Sequence, residues 1–180
     1  MDLRWLGYGA VAVVLLAAAV LFAFSSGLIA PFLGDGYDPD ADPGGDSTHD
    51  DYEHTSVTVH DGETGEELGR VEAAIADTFS TRYLGLSATD SLPEDRGMLF
   101  VHDSPGEYTY VMRDMSFGID IVFVDPDGTI TTIHEAPRPG PGEDGNEQEY
   151  PGTGQYVLEV NKGWTADRGV GVGDEVRFEL

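Results

Sequence analysis

The sequence contains no cysteine and very few basic residues. Without cysteine the chain can form no disulfide, thiolate zinc site or iron–sulfur cluster, and it has no cysteine nucleophile. Lysine and arginine together number nine against 34 aspartate and glutamate residues, and Lys162 is the only lysine. Proteins bind the phosphate backbone of nucleic acids mainly through lysine and arginine. The composition therefore predicts no nucleic-acid partner and no docking on anionic lipid through a basic patch.

Acidic residues dominate instead, and the formal net charge is -25. One interpretation is an acidic surface that serves a function, such as cation binding. The other is adaptation to a saline medium, where repulsion between charges is screened to a range of about 3 Å at 1 M salt. The acids are spread along the whole chain, which favours salt adaptation. The composition resembles that of proteins from extreme halophiles such as haloarchaea.

An apolar segment without any charged residue covers residues 6–24. A helix over these residues would be about 28 Å long, close to the hydrocarbon thickness of a bilayer. Residues 1–33 are therefore predicted to be a transmembrane anchor, with a signal peptide cleaved near Ser26 or a buried core helix as alternatives. Arg4 is the only basic residue nearby, which predicts a cytoplasmic N-terminus and a C-terminal domain outside the cytoplasm.

Residues 34–54 combine acids, glycine and proline with almost no aliphatic side chains. Such a segment cannot bury enough apolar surface to offset its ordering entropy, so we expect an acidic disordered linker. In residues 55–180, short segments of β-branched and alternating apolar residues predict strands. The predicted strands cover residues 56–60, 69–76, 97–101, 108–112, 119–124, 129–133, 156–161 and 175–180.

Turns and short helices connect these strands. Residues 78–86 are predicted to be a short capped helix, and residues 164–168 a turn or short helix. Residues 104–107 and 125–128 have turn chemistry, and the second of these turns closes the strongest predicted hairpin. Residues 137–151 are rich in proline, glycine and glutamate and are predicted to be an exposed loop. The pattern indicates a mainly β, β-rich α+β domain, barrel- or sandwich-like, with one or two short helices.

Several motifs follow one another in this part of the chain, and their order resembles the uncharacterised family catalogued as domain of unknown function 192. The resemblance spans roughly residues 55–180. It implies a single β-rich domain, often exported or membrane-anchored, and no established activity. The motifs are residues 76–86, 96–101, 110–115, 119–125, 156–163 and 171–174.

The sequence departs from the family pattern at three places. Tyr110 and Val111 stand where tryptophan is usual before methionine, Asp114 where asparagine is usual, and Gly118 where proline is usual. The strand character of the motif is kept. A role that needs an indole or an amide at these positions is not expected here.

Asp120 and Glu159 each interrupt an otherwise apolar strand. A buried carboxylate is costly unless it is paired or hydrogen-bonded. Asp120 is therefore predicted to be either a ligand-binding, metal-binding or acid/base carboxylate, or a structural group that pairs with Arg113 or caps backbone amides. Glu159 presents the same choice. Asn161 lies two residues after Glu159 and so on the same face of its strand.

Three arginines lie within the motifs, although arginine is scarce in the chain. They would bind an anion through bidentate guanidinium donors, or each would satisfy carboxylates or carbonyls within the fold. No metal-binding spacing of histidines appears, so neither a metal nor a cofactor is predicted. The candidate pocket comprises Arg82, Arg96, Arg113, Asp120, Glu159 and Asn161.

Three functions fit this sequence. The preferred one is a membrane-anchored, non-catalytic module that binds a small ligand or an envelope protein at the candidate pocket. The second is a hydrolase or lyase that uses Asp120 and Glu159 as acid and base. The third is a structural or interaction domain without a small-molecule site.

Overall fold

The computed structural model describes residues 49 and 51–180. The predicted membrane segment and most of the predicted linker lie outside the described residues. Within the described part of the chain, no helix is both long enough and apolar enough to cross a membrane.

The described residues form seven strands and two short α-helices, so the predicted β-rich domain with few short helices is confirmed. A 3-10 helix at Gly145–Glu147 precedes the sixth strand. In chain order the elements are β1 (His54–His60), β2 (Glu67–Ala76), α1 (Phe79–Leu84), β3 (Arg96–Val111), β4 (Ile119–Val124), β5 (Ile130–Ala136), β6 (Glu149–Asn161), α2 (Trp164–Arg168) and β7 (Glu175–Arg177).

All seven strands belong to one sheet in the order β5-β4-β6-β3-β2-β1-β7. Neighbouring strands are antiparallel except β2 and β3, which are parallel. The sheet curls until its two edges approach each other. Thr129, just before β5, forms a bridge with Glu175 of β7, and the Ile130 amide donates to the Asp174 carbonyl at 2.8 Å. The architecture is therefore a curled half-barrel rather than a sandwich of two sheets.

Side chains alternate between the two faces of the sheet, and each face carries its own apolar cluster. Leu158 and Val160 belong to a cluster that includes Trp164 of α2, which we call the Trp164 cluster. Val157 belongs to a second cluster with Phe100 of β3, which we call the Phe100 cluster. Strand β4 is buried at every position because its two faces supply both clusters.

The predicted hairpin is confirmed as β4 and β5. Asp125 holds its turn, since its Oδ1 accepts from the amides of Asp127 and Thr129 at 2.9 Å each. Gly128 has φ 91°, a conformation that favours glycine at this position of the turn. The local chemistry of the segment thus determines the connection, as expected for a hairpin.

Strand β3 differs from the prediction of two strands, residues 97–101 and 108–112, joined by a turn. The chain runs through as one strand, because both halves pair with β6. The register shifts between Val101 and Gly106: β3 advances five residues there (101 to 106) while β6 advances two (156 to 154). The turn-forming residues 104–107 therefore contribute to a bulge in a continuous strand.

Two element ends also differ from the sequence prediction. Strand β6 begins at Glu149, inside the segment predicted as a loop over residues 137–151, because the far half of β3 supplies it with a pairing partner. Strand β7 ends at Arg177, three residues before the predicted end, where its pairing with β1 also ends.

Candidate functional site

A pocket of about 310 Å³ lies between α1 and the outer half of β3. This volume suits a small organic molecule. The lining is mostly aromatic and aliphatic, and its charged members are Arg82, Arg113 and Glu159. We call it the Glu159 pocket; its aromatic, imidazole and charged members are Phe79, Arg82, Tyr83, Phe100, His102, Tyr108, Tyr110, Arg113 and Glu159.

Helix α1 supplies one wall of the pocket. Its start is fixed by Thr78, whose side-chain oxygen accepts from the Thr81 amide at 3.2 Å, and it ends at Gly85 with φ 52°. Phe79 and Tyr83 are four residues apart and so lie on the same side of the helix. Their rings stack with centroids 6.2 Å apart, yet they are 79% and 62% exposed. The helix therefore presents two largely exposed rings at the pocket.

Strand β3 supplies the opposite wall through aromatic side chains that contact one another. The Tyr110 hydroxyl lies 3.0 Å from Nε2 of His102, and the His102 ring stacks on Tyr108 with centroids 3.6 Å apart. Burial raises the pKa of the Tyr110 hydroxyl, and the charge of Glu159 raises it further. Burial also lowers the pKa of the His102 imidazole, which favours its neutral form.

Glu159 is the one carboxyl group in the pocket lining, and it is 5% exposed. It lies in β6 between Met98 of β3 and Ile121 of β4 in the sheet register, so its strand neighbours are apolar. Its carboxyl makes no hydrogen bond or ion pair with another described residue. Burial raises its pKa to about 8, so the carboxyl is mostly protonated at neutral pH.

Asp120 is fully buried and is satisfied within the fold. Its Oδ1 accepts from the Gly163 amide at 2.9 Å, and its Oδ2 accepts from the amide and hydroxyl of Thr165 at 2.9 Å and 2.6 Å. Gly163 is the N-cap residue of α2 and Thr165 lies in its first turn, so the Asp120 carboxylate caps this helix. Of the roles predicted for Asp120, the capping of backbone amides matches this geometry, whereas pairing with Arg113 does not.

The two carboxylates lie on opposite faces of the sheet. Asp120 is paired with Val160, whereas Glu159 is paired with Ile121 one residue further along β4. Directly paired residues in antiparallel strands point to the same face, and successive residues point to opposite faces. The expectation that Asp120 and Glu159 line one pocket is therefore wrong. Asp120 faces the Trp164 cluster and Glu159 faces the Phe100 cluster.

Arg82 and Arg113 both line the Glu159 pocket and are anchored to backbone carbonyls. Nη1 of Arg82 donates to the carbonyls of Asp77 and Val101, the latter at 2.7 Å. Nη2 of Arg113 donates to the Tyr83 carbonyl, and its guanidinium lies 4.0 Å from the centroid of the Tyr83 ring. These contacts hold the two guanidinium groups at the wall of the pocket.

Arg96 and Asn161 lie outside the pocket. Arg96 is exposed at the first position of β3. Nδ2 of Asn161 donates to the carbonyls of Leu92 and Pro93 at 2.8 Å and 3.1 Å, and so holds the segment before β3. The structure thus brings together three of the six predicted pocket residues, which are Arg82, Arg113 and Glu159.

The sequence interpretation did not assign the aromatic walls to the site. Two signals for them are present in the sequence: the spacing of four between Phe79 and Tyr83 in a predicted helix, and the alternation of Tyr108 and Tyr110 in a predicted strand. Each pair lies on one face of its element. Neither signal shows that the two faces meet. Among the described residues, no group of three or more histidine, aspartate or glutamate side chains is placed to hold a metal ion.

The sequence model of the DUF192 family, described as an uncharacterised ACR, matches residues 60–178. The chain belongs to the DUF192 family. The match includes every residue that lines the Glu159 pocket. The resemblance found in the sequence motifs is therefore confirmed at the level of the family.

Two solved structures are similar to this DUF192 protein. One is a provisionally named transcription regulator from Sinorhizobium meliloti 1021, with 27% identity, a TM-score of 0.63, and coverage of 71% of this chain and 95% of that one. The other is a protein of unknown function from Novosphingobium aromaticivorans DSM 12444, with 29% identity, a TM-score of 0.57, and coverage of 68% and 83%. No protein of curated function matches the sequence.

Proposed function

We propose that this DUF192 domain is a non-catalytic module that binds a small organic molecule in the Glu159 pocket. The observation that carries the proposal is the Glu159 carboxyl, which is buried, lines an open pocket and has no hydrogen-bond partner among the described residues. A buried polar group without a partner destabilises a protein, and such groups concentrate at functional sites. A bound ligand would supply the missing partner.

The alternative of a two-carboxylate hydrolase or lyase receives no support from this geometry. Paired-carboxylate chemistry needs both groups in one cleft, where they flank the scissile bond at a separation of about 5–9.5 Å. Asp120 is on the opposite face of the sheet and is held by the first turn of α2. Glu159 alone remains in the pocket, and a single carboxyl favours recognition over this kind of catalysis.

Nucleic-acid binding is also not favoured. A similar protein carries the provisional name of a transcription regulator. This chain, however, has nine basic residues and a net charge of -25, which opposes approach to a phosphate backbone. A small organic molecule remains the better-supported partner.

We further propose that the domain is anchored in the cell membrane and lies outside the cytoplasm. The uncharged apolar residues 6–24 and Arg4 support this topology. Because the chain has no cysteine, labelling of a single introduced cysteine shows on which side of the membrane that residue lies. Val172→Cys, at a side chain that is 66% exposed, should react with a membrane-impermeant maleimide in intact cells. Asp2→Cys should react only after lysis, and the reverse pattern would refute the topology.

Binding in the pocket can be measured through methionine methyl groups. The chain has four methionines, and Met115 lines the pocket. We expect members of a library of small organic fragments, added to full-length protein in detergent micelles, to shift the Met115 methyl resonance and leave that of Met1 unchanged. A library that never moves Met115 would favour the interaction-domain alternative.

Removing an aromatic ring at the pocket should weaken this binding. Phe79→Ala and Tyr83→Ala should each raise the Kd of a fragment by about 5- to 30-fold, because each ring contributes about 1–2 kcal/mol of contact. Both rings are mostly exposed, so we expect the melting temperature to stay unchanged. Val172→Ala removes another exposed apolar side chain, away from the pocket, and should leave the Kd unaltered. Equal affinities in all three variants would refute the site.

A further inference from the structure

We propose that the ligand of the Glu159 pocket is a small organic carboxylate with a flat apolar body. This inference rests on the binding function proposed above. Its first support is the local reversal of charge. The chain has 34 acidic and nine basic residues, yet the pocket lining contains two arginines and a single acid, which is the buried Glu159. When Glu159 is protonated and neutral, the two side chains in the lining that carry a charge are Arg82 and Arg113. Both are positive, so the pocket favours an anionic ligand.

The two arginines retain donors for that anion. A guanidinium group carries five N–H donors. The hydrogen bonds of Arg82 within the described residues use Nη1, and that of Arg113 uses Nη2. Asp114 lies near Nε of Arg113, at 3.9 Å, and is itself largely exposed. The remaining N–H groups match the planar, two-oxygen geometry of a carboxylate.

Glu159 contributes to the same recognition in its protonated form. A neutral carboxyl can donate its proton to a carboxylate, whereas an ionised one can only accept and would repel it. The titratable and charged groups that line the pocket with it are His102, Tyr108 and Tyr110 from β3, Arg82 and Tyr83 from α1, and Arg113 after β3. The facing residue of β4 is Ile121, which carries no charge.

The apolar body of the ligand is indicated by the pocket walls. Phe79 and Tyr83 of α1, and Tyr108 of β3, supply aromatic surface to the pocket lining, which suits a flat apolar molecule. A cationic amine would also suit aromatic rings, but the two arginines would repel it. Ligands that share one aromatic ring but carry an anionic, a cationic or a neutral substituent can therefore show which charge the pocket prefers.

The experiment uses full-length protein with benzoate, benzyl alcohol and benzylamine, monitored by the Met115 methyl resonance at constant ionic strength. We expect benzoate to bind at least about tenfold more tightly than the other two, because only benzoate pairs with guanidinium groups.

Arg82→Lys and Arg113→Lys keep the charge of the side chain but lose the planar pair of N–H donors. Each substitution should weaken benzoate binding about tenfold and have little effect on the binding of benzyl alcohol.

The pH dependence of benzoate binding tests the role of Glu159, because a purely structural Glu159 would not make the Kd change with pH. The Kd of benzoate should rise about tenfold per pH unit above the pKa of Glu159, since ionised Glu159 repels the ligand. In Glu159→Gln this dependence should disappear while binding persists. Tighter binding of benzylamine or benzyl alcohol, or a flat profile in the wild type between pH 7 and 10, would overturn the carboxylate inference and leave the binding function intact. Failure of every probe and fragment to shift Met115 would instead remove the binding function itself.

Discussion

Replacing Asp120 with alanine should lower the free energy of unfolding by about 3–5 kcal/mol. The substitution removes the acceptor of three hydrogen bonds and leaves the Thr165 amide and hydroxyl unsatisfied at a buried position. Each unsatisfied buried donor costs about 1–3 kcal/mol, and hydrogen bonds to a charged acceptor lie at the upper end of their range. Urea denaturation of the full-length protein measures the change. Much of the loss should appear as detachment of α2 from the sheet, because these donors belong to its first turn.

Two further variants make this result specific. Asp120→Asn keeps the size of the side chain but has one acceptor oxygen instead of two, so either the Gly163 amide or the Thr165 donors face an NH2 group, and we expect a loss of at least about 2 kcal/mol. Asp127→Ala removes an exposed carboxylate from the β4–β5 turn and should cost less than about 0.5 kcal/mol. An Asp120→Asn variant as stable as the wild type would contradict a capping role and would indicate a carboxylate held under strain for a function.

Replacing Glu159 with glutamine should have the opposite effect, stabilising the protein at alkaline pH. The carboxyl has a folded-state pKa of about 8 against an ordinary value of 4.5, and burial is the cause. Below about pH 4.5 the carboxyl is protonated in both the folded and the unfolded chain. Between these two values the unfolded chain releases the proton and the folded one keeps it, so stability falls by about 1.4 kcal/mol per pH unit. Above pH 8 the fall levels off, after a total on the order of 5 kcal/mol.

Glutamine imitates the protonated carboxyl and cannot ionise. The wild type and Glu159→Gln should therefore be similarly stable near pH 4.5, and the variant should be more stable by several kcal/mol near pH 9. Denaturation curves of both proteins across this range give the difference directly, because other titrating groups contribute equally to both. Glu107→Gln, at an exposed position of β3, serves as the matched control and should show no such divergence. A constant difference between wild type and Glu159→Gln at all pH values would exclude the raised pKa.

These two predictions separate two residues that look alike in the sequence. Each is an acid within an apolar strand, and each strand shows its own alternation. Whether Asp120 lies on the same face as Glu159 depends on the register between β4 and β6, and a strand pattern carries no information about register across a sheet. Glu159 pairs with Ile121, one residue after Asp120, so the two carboxylates lie on opposite faces. The sequence thus indicated that both positions were unusual, while only the pairing of strands shows which one lines a pocket.

The remaining successes and failures of prediction have a similar physical origin. The β4–β5 hairpin was predictable because its turn is local: Asp125 and Gly128 fix it through contacts within a few residues. Strand β3 was not, because residues 104–107 have turn chemistry and only pairing with the distant β6 keeps the strand continuous. The aromatic walls of the pocket come from α1 and β3, whose contact depends on the whole fold. Local signals were informative where local interactions decide the structure.

The position of β6 in the sheet has a consequence for how the domain folds. It lies between β3 and β4 and joins β1–β3 to the β4–β5 hairpin, yet it follows all five of these strands in the chain. Until β6 emerges, β3 and β4 each expose an unpaired edge, and such edges invite pairing with other chains. The sheet therefore cannot grow steadily from one terminus to the other. The β1–β3 part and the β4–β5 hairpin can join only after β6 has formed, so folding should be slow for a domain of this size.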